Sequence, residues 1–130
     1  MEVNHWAIIV ATLLAFGFSA LYYTLLSKQV KASYKKSGIT GGEMTPNVIM
    51  AEFVRTFVLG LVIAYSVNLL GLTQWHQSVV LTFWLWVAFP VVLLVGSVIH
   101  ENYSKQLAAI HAIDWLVKLL IFAIVLTIWQ

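Results

Sequence analysis

Three ionisable side chains lie close together near the C-terminal end of a very apolar chain: His111, Asp114 and Lys118. On an α-helix they occupy positions i, i+3 and i+7 and share one face, with Asp114 and Lys118 four residues apart. An imidazole, a carboxylate and an ammonium group on one face can relay protons or bind a small ion or a polar solute. Within a membrane such a face must contact protein or water, because charge is not stable against lipid.

The composition indicates an integral membrane protein with a single domain, residues 1–130. The chain is 62% hydrophobic and only 9% charged, whereas soluble domains are about 25% charged. The absence of cysteine excludes disulfides and thiolate metal sites. The formal net charge of +2 comes from a few clustered lysines, and membrane topology explains this clustering more simply than a nucleic-acid partner does.

Four apolar stretches each approach the roughly 20 residues that cross a membrane. They cover residues 5–26, 48–70, 77–99 and 106–129. The two connections that carry lysine, residues 27–47 and 100–105, are predicted to be cytoplasmic because positively charged loops stay on that side. Both termini then lie outside. The sequence therefore predicts an all-α, multi-pass four-helix bundle, N-out/C-out, in a prokaryotic inner or plasma membrane.

The longer connection between the first two spans is rich in lysine. Its basic residues are Lys28, Lys31, Lys35 and Lys36. We interpret them as topology determinants at the lipid headgroups, and a site for anionic lipid or phosphate is the alternative. Membrane lipids are accordingly expected partners of the chain.

Polar residues in the second span predict partners for the helix that carries Asp114. The second and fourth spans run in the same direction, and helices rise by about 1.5 Å per residue, so Arg55 and Asp114 fall at similar depths and can meet. Pairing Glu52 with Arg55, and Asp114 with Lys118 or Arg55, is the expected way to stabilise charge in the membrane. Further polar candidates at the ends of spans are Asn68, His100 and Glu101.

Small residues and one proline indicate how the helices pack. A stripe at every fourth position of the first span consists of Ala7, Ala11, Ala15 and Ser19. Such a stripe lets two membrane helices approach closely, and we expect it to offer a contact surface for a homo-oligomer. Gly60 in the second span predicts close packing, and Pro90 in the third predicts a kink.

Two functions remain open from the residues alone. In the first, the polar network lines a path or pocket for a small ion, a proton or a polar solute. In the second, the protein is a structural or accessory subunit whose buried ion pairs only fix helix assembly. No nucleophile or phosphate-loop motif occurs, so neither an enzyme nor a cofactor is predicted. His5 and His76 lack a third ligand, and no metal site is predicted. No substrate is indicated.

Short motifs distributed along the chain resemble a family of small four-span prokaryotic membrane proteins. The motifs are Asn4–Ile8, Gly17–Tyr23, the lysine segment that follows it, and Phe83–Pro90. That family is known only as a domain of unknown function, number seventeen sixty-one. The resemblance covers nearly the whole chain and implies four membrane helices without an established activity.

Overall fold

The computed structural model describes residues 2–41 and 43–130, and this part of the chain is mostly helical. The elements are α1 (His5–Leu25), α2 (Ser27–Ser37), α3 (Pro46–Leu69), α4 (Trp75–Trp86), a π-helical segment (Val87–Val91), α5 (Val92–His100) and α6 (Lys105–Ile128). Four stretches are long and apolar enough to cross a membrane: α1, α3, α6 and the continuous run Trp75–His100. These findings confirm the predicted class, an all-α membrane protein with four long apolar helices.

Polar side chains set the starts of three long helices. Asn4, Thr45 and Ser104 are the N-caps of α1, α3 and α6. The side-chain oxygen of each accepts a hydrogen bond from the backbone N–H three residues later. Such bonds satisfy N–H groups that have no partner inside the helix. Pro46 follows Thr45 as the first residue of α3, where its missing N–H costs nothing.

The core forms where α1, α3 and α6 meet. Its buried members are Ala7, Ile8, Ala11, Ala15, Ile63, Ala64, Val67, Leu119, Phe122 and Leu126. A Cβ atom on Gly60 would lie 2.6 Å from Cε1 of Phe122, so the glycine permits the close packing that the sequence predicts. The small-residue stripe of α1 is buried within the chain. The prediction that this stripe contacts a second copy is therefore wrong, because α3 and α6 of the same chain already cover it.

The third span contains an irregular turn at Pro90. The segment Val87–Val91 adopts π-helical geometry, and Pro90 lies inside it. A proline removes one backbone donor from the helix and commonly causes such a local change in winding. The span is thus irregular at the position where the sequence predicts a kink. On either side of it the span differs, since α4 buries Ser78 and Thr82 whereas α5 has no buried residue.

The two connections that carry lysine lie at one end of the bundle, which we call the lysine-rich end (residues 27–41, 43–45 and 101–104, with Lys105). Nδ2 of Asn102 donates to the carbonyl of Ser37 at 2.5 Å. The backbone N–H of Ser104 donates to Oγ of the same serine at 3.0 Å. The C-terminal end of α2 is therefore fixed to the loop that precedes α6.

Glu2, the first described residue, and Gln130 lie at the opposite end of the bundle. Nδ2 of Asn68 donates to the carbonyl of Glu2 at 2.7 Å. Nε2 of Gln130 donates to the carbonyl of Leu72 at 2.6 Å. The last turn of α3 thus holds Glu2, and the connection between α3 and α4 holds Gln130.

Candidate functional site

Asp114 and Lys118 form a buried ion pair on α6. The distance between Lys118 Nζ and Asp114 Oδ2 is 2.9 Å. Asp114 is 2% exposed and Lys118 is 4% exposed. The four-residue spacing places the two side chains one turn apart on the same face. A pair removed from solvent needs further hydrogen bonds, because both charges have lost their hydration.

Helix α1 supplies those hydrogen bonds. The hydroxyl of Ser19 donates to Asp114 Oδ1 at 2.5 Å, and the hydroxyl of Tyr23 lies 3.5 Å from Asp114 Oδ2. Sequence reasoning missed both roles. The available signal was their spacing: Ser19 is the last member of the small-residue stripe, and Tyr23 follows it by four residues on the same face.

Tyr23 also contacts the imidazole of His111. Its hydroxyl lies 2.6 Å from His111 Nδ1, and the tautomer of the imidazole decides which atom donates. His111 is half-buried, so it lies between the exposed surface and the buried pair. Hydrogen-bond contacts consequently run from His111 through Tyr23 to Asp114 and on to Lys118. We call these four residues and Ser19 the α1–α6 network.

Two further side chains hold the turn of α6 that carries the network. The hydroxyl of Tyr22 donates to the carbonyl of Ile110 at 2.9 Å. Nε1 of Trp86 donates to the carbonyl of Ala112 at 2.8 Å. The turn around His111 is therefore fixed by α1 on one side and by α4 on another.

Glu52 and Arg55 form a separate ion pair on α3, and both side chains are partly exposed. The guanidinium carbon of Arg55 lies 5.7 Å from the centroid of the Trp115 ring, and Lys118 Nζ lies 5.3 Å from it. The predicted pair of Glu52 with Arg55 is present, and of the two partners predicted for Asp114, Lys118 forms the ion pair and Arg55 does not. Although the depths match, Arg55 pairs with the glutamate one turn away and stacks on Trp115. Asp114 pairs instead with Lys118 of its own helix.

The remaining predicted polar residues lie outside the network. Asn68 holds the N-terminal segment at the opposite end of the bundle. His100 and Glu101 are exposed at the lysine-rich end. The exposed lysines of α2 are Lys28, Lys31, Lys35 and Lys36.

Helix α2 docks on α6 with the face opposite most of its lysines. Val30 packs with Leu107 and Ile110 in a small second core. The ring of Tyr34 lies 6.5 Å from that of Tyr103. Burial, and then the adjacent Tyr103, raise the pKa of Tyr34 to about 12. These apolar and aromatic contacts lie on the opposite face of α2, and they hold the lysine-bearing face outward.

The network ends at Lys118, part of the way along α6. Beyond it, α6 buries Leu119, Phe122, Ala123 and Leu126. Two buried hydroxyls further along, those of Thr12 and Thr127, donate to backbone carbonyls of their own helices. Over the part of the chain that the structure describes, no three histidine or acidic side chains are grouped to hold a metal ion. The arrangement can bind and pass protons near the lysine-rich end, and apolar side chains close the other side.

Comparison with known proteins assigns the family. The family model described as a protein of unknown function (DUF1761) matches residues 6–127. No curated protein matches the chain significantly, and no solved structure does. Because the family match spans nearly all of the sequence, as the resemblance of its motifs implies, this four-helix membrane protein belongs to the DUF1761 family.

Proposed function

We propose that this protein takes up and releases protons through the α1–α6 network, and that this exchange is coupled to the binding or transport of a small ion or polar solute. One observation carries the proposal. The hydroxyl of Tyr23 lies 2.6 Å from His111 Nδ1 and 3.5 Å from Asp114 Oδ2. A hydroxyl between an imidazole and a carboxylate can accept a proton from one and donate its own to the other.

The proposed transfer moves two protons along His111, Tyr23 and Asp114. When His111 is protonated, its Nδ1–H donates to the oxygen of Tyr23, and the O–H of Tyr23 donates to Asp114 Oδ2. A shift of both protons leaves a neutral imidazole, an intact tyrosine and a protonated Asp114. Lys118 then has no anionic partner, although it is 4% exposed. An unpaired buried ammonium group attracts a small anion or a polar solute, which gives the coupling.

The proposed uptake and release of protons take place at the lysine-rich end. His111 is the half-buried member of the network nearest that end, and Tyr103 of the adjoining loop lies 6.3 Å from it, ring to ring. Phe122 and Leu126 close the core on the other side of Lys118. Transport across the membrane therefore requires a second conformation, whereas proton binding does not.

The test uses purified protein in proteoliposomes that contain a pH-sensitive dye, with a potassium diffusion potential as the driving force. We expect proton flux from the unmodified protein and from Tyr22→Phe, and none from Tyr23→Phe. Tyr22 is a matched control because its hydroxyl donates only to a backbone carbonyl in the structure. Infrared spectroscopy should also detect a protonated carboxyl band that is absent in Asp114→Asn. Equal flux from the two phenylalanine variants, or no carboxyl protonation, contradicts the proposal.

A structural role is the second candidate, and a different observation favours it. Among the described residues, no buried side-chain nitrogen or oxygen lacks a hydrogen-bond partner. A fully satisfied pair holds α1 and α6 in register without any exchange. In that case, Asp114→Asn combined with Lys118→Met should retain the cellular function. Loss of function in a correctly folded double variant argues against this candidate and for the proton-exchange proposal.

A further inference from the structure

We propose that two copies of this chain associate in the membrane through α3, with Arg55 of each copy paired to Glu52 of the other. The inference concerns the outward face of α3 and does not depend on the α1–α6 network. This face of α3 takes the place of the small-residue stripe of α1 as the predicted contact between copies, because that stripe is buried within the chain.

The first observation is an exposed ion pair on a helix that is apolar enough to cross the membrane. The side chain of Arg55 is 58% exposed and that of Glu52 is 36% exposed. Arg55 lies roughly 13 Å along α3 from Pro46, at about 1.5 Å per residue. Charged side chains at such positions normally face protein or water rather than lipid. Trp115 covers one side of the guanidinium group and leaves the other side open.

The second observation is the shape of the same face further along α3. An open groove of about 410 Å³ is lined by Leu61, Val62, Tyr65, Ser66 and Leu69. Exposed valines at four-residue spacing, Val54, Val58 and Val62, form a ridge that continues from the ion pair to the groove. A ridge beside a groove is the surface that a second helix of similar shape can occupy.

Charge complementarity identifies the occupant as a second copy. The face carries one cation and one anion about a turn apart, so it has no net charge and is its own complement. All copies cross the membrane in the same direction, and a two-fold axis along the membrane normal therefore brings the two α3 helices side by side. Arg55 of each copy then lies opposite Glu52 of the other, so one interface contains two ion pairs between the copies.

The chain contains no cysteine, so a single introduced cysteine reports one contact without background. We expect Val58→Cys and Val62→Cys to form disulfide-linked dimers when native membranes are oxidised. The matched control is Leu93→Cys on α5, at a side chain that is 69% exposed, compared with 50% for Val58. Absence of dimers at both α3 positions, or equal dimer formation at Leu93, overturns the proposal. If a lipid headgroup covers the ion pair instead, no dimers form at either α3 position.

Charge reversal then tests the pairing itself. In the Val58→Cys background, Arg55→Glu places like charges across the interface, and the cross-linked fraction should fall roughly tenfold or more. Adding Glu52→Arg exchanges the two charges and should restore cross-linking. No decrease in the single reversal, or no recovery in the exchanged variant, contradicts the assigned pairing. These readouts require no transport activity, so they are independent of the outcome of the proton-flux assay.

Discussion

The hydroxyl of Ser19 donates a 2.5 Å hydrogen bond to Oδ1 of Asp114, which lies 95 positions later in the chain. The other carboxylate oxygen, Oδ2, pairs with Lys118 on the helix of Asp114 itself. One carboxylate is thus held by two helices: α6 contacts Oδ2 through Lys118, and α1 contacts Oδ1 through Ser19 and lies 3.5 Å from Oδ2 through Tyr23. Any sliding of α1 along α6 breaks the contacts from α1 while the pair with Lys118 remains.

The stability of the protein should depend on this interhelical bond. Ser19→Ala removes the donor and leaves Oδ1 of a buried carboxylate without that partner, which we expect to cost about 1–3 kcal/mol in the free energy of unfolding. Denaturant unfolding in detergent micelles measures the change. Thr24→Ala is the control, because the exposed Thr24 hydroxyl donates only to a carbonyl of its own helix. Equal losses from both substitutions contradict the assigned role of Ser19.

The buried ion pair should show strong coupling in a double-mutant cycle. Lys118→Met alone leaves the Asp114 carboxylate buried and without its cation, at an expected cost of about 3–5 kcal/mol. Combining it with Asp114→Asn removes that unpaired charge, so the double variant should be more stable than Lys118→Met. The same unfolding assay measures all four proteins. Strictly additive effects show that the two side chains do not interact.

Two glycines should respond differently to the same substitution. Gly60→Ala introduces a Cβ atom 2.6 Å from the ring of Phe122, and the forced shift of this buried ring should cost roughly 1–3 kcal/mol. Gly96→Ala is the matched control, because a Cβ atom there has no neighbour within 4 Å. Its effect should be near zero or slightly stabilising, since alanine favours the helix. Unfolding measurements that give the two variants the same stability contradict the packing of α3 on α6.

Docking of α2 should weaken at high pH. The pKa of Tyr34 is raised from 10.0 to about 12 in the folded protein, so the folded state binds this proton more tightly than the unfolded state. The resulting stabilisation is complete below about pH 10 and is lost as the pH rises through 12. Ultraviolet absorbance of tyrosinate measures the ionisation of Tyr34, and hydrogen exchange in α2 measures the weakening of its docking. Tyr34→Phe should remove this part of the pH dependence, and an unchanged profile contradicts the assignment.

Contacts within one helix could be predicted from the sequence, because residue spacing alone determines them. Asp114 with Lys118 and Glu52 with Arg55 are pairs of this kind, at four-residue and three-residue spacing. The all-helical class was equally accessible, since four apolar stretches of sufficient length leave few alternatives in a membrane.

Contacts between helices were less accessible, because they depend on how each helix is rotated about its axis. Residue counting correctly gives Arg55 and Asp114 similar depths, yet Arg55 stacks on Trp115 and pairs locally. Ser19 and Tyr23 were missed for a related reason. A serine that ends a row of alanines indicates close packing, and nothing in its spacing identifies the carboxylate that its hydroxyl contacts.

The π-helical segment at Val87–Val91 divides the third span into two parts that differ in how tightly they pack. On one side, α4 buries Ser78 and Thr82 and is held to α6 by the hydrogen bonds of Ser78 and Trp86. On the other, α5 buries no side chain and ends at the lysine-rich end. Slow amide exchange in α4 and fast exchange in α5 follow from this difference. The packing that holds the third span to α6 is therefore concentrated on one side of the π-helical segment.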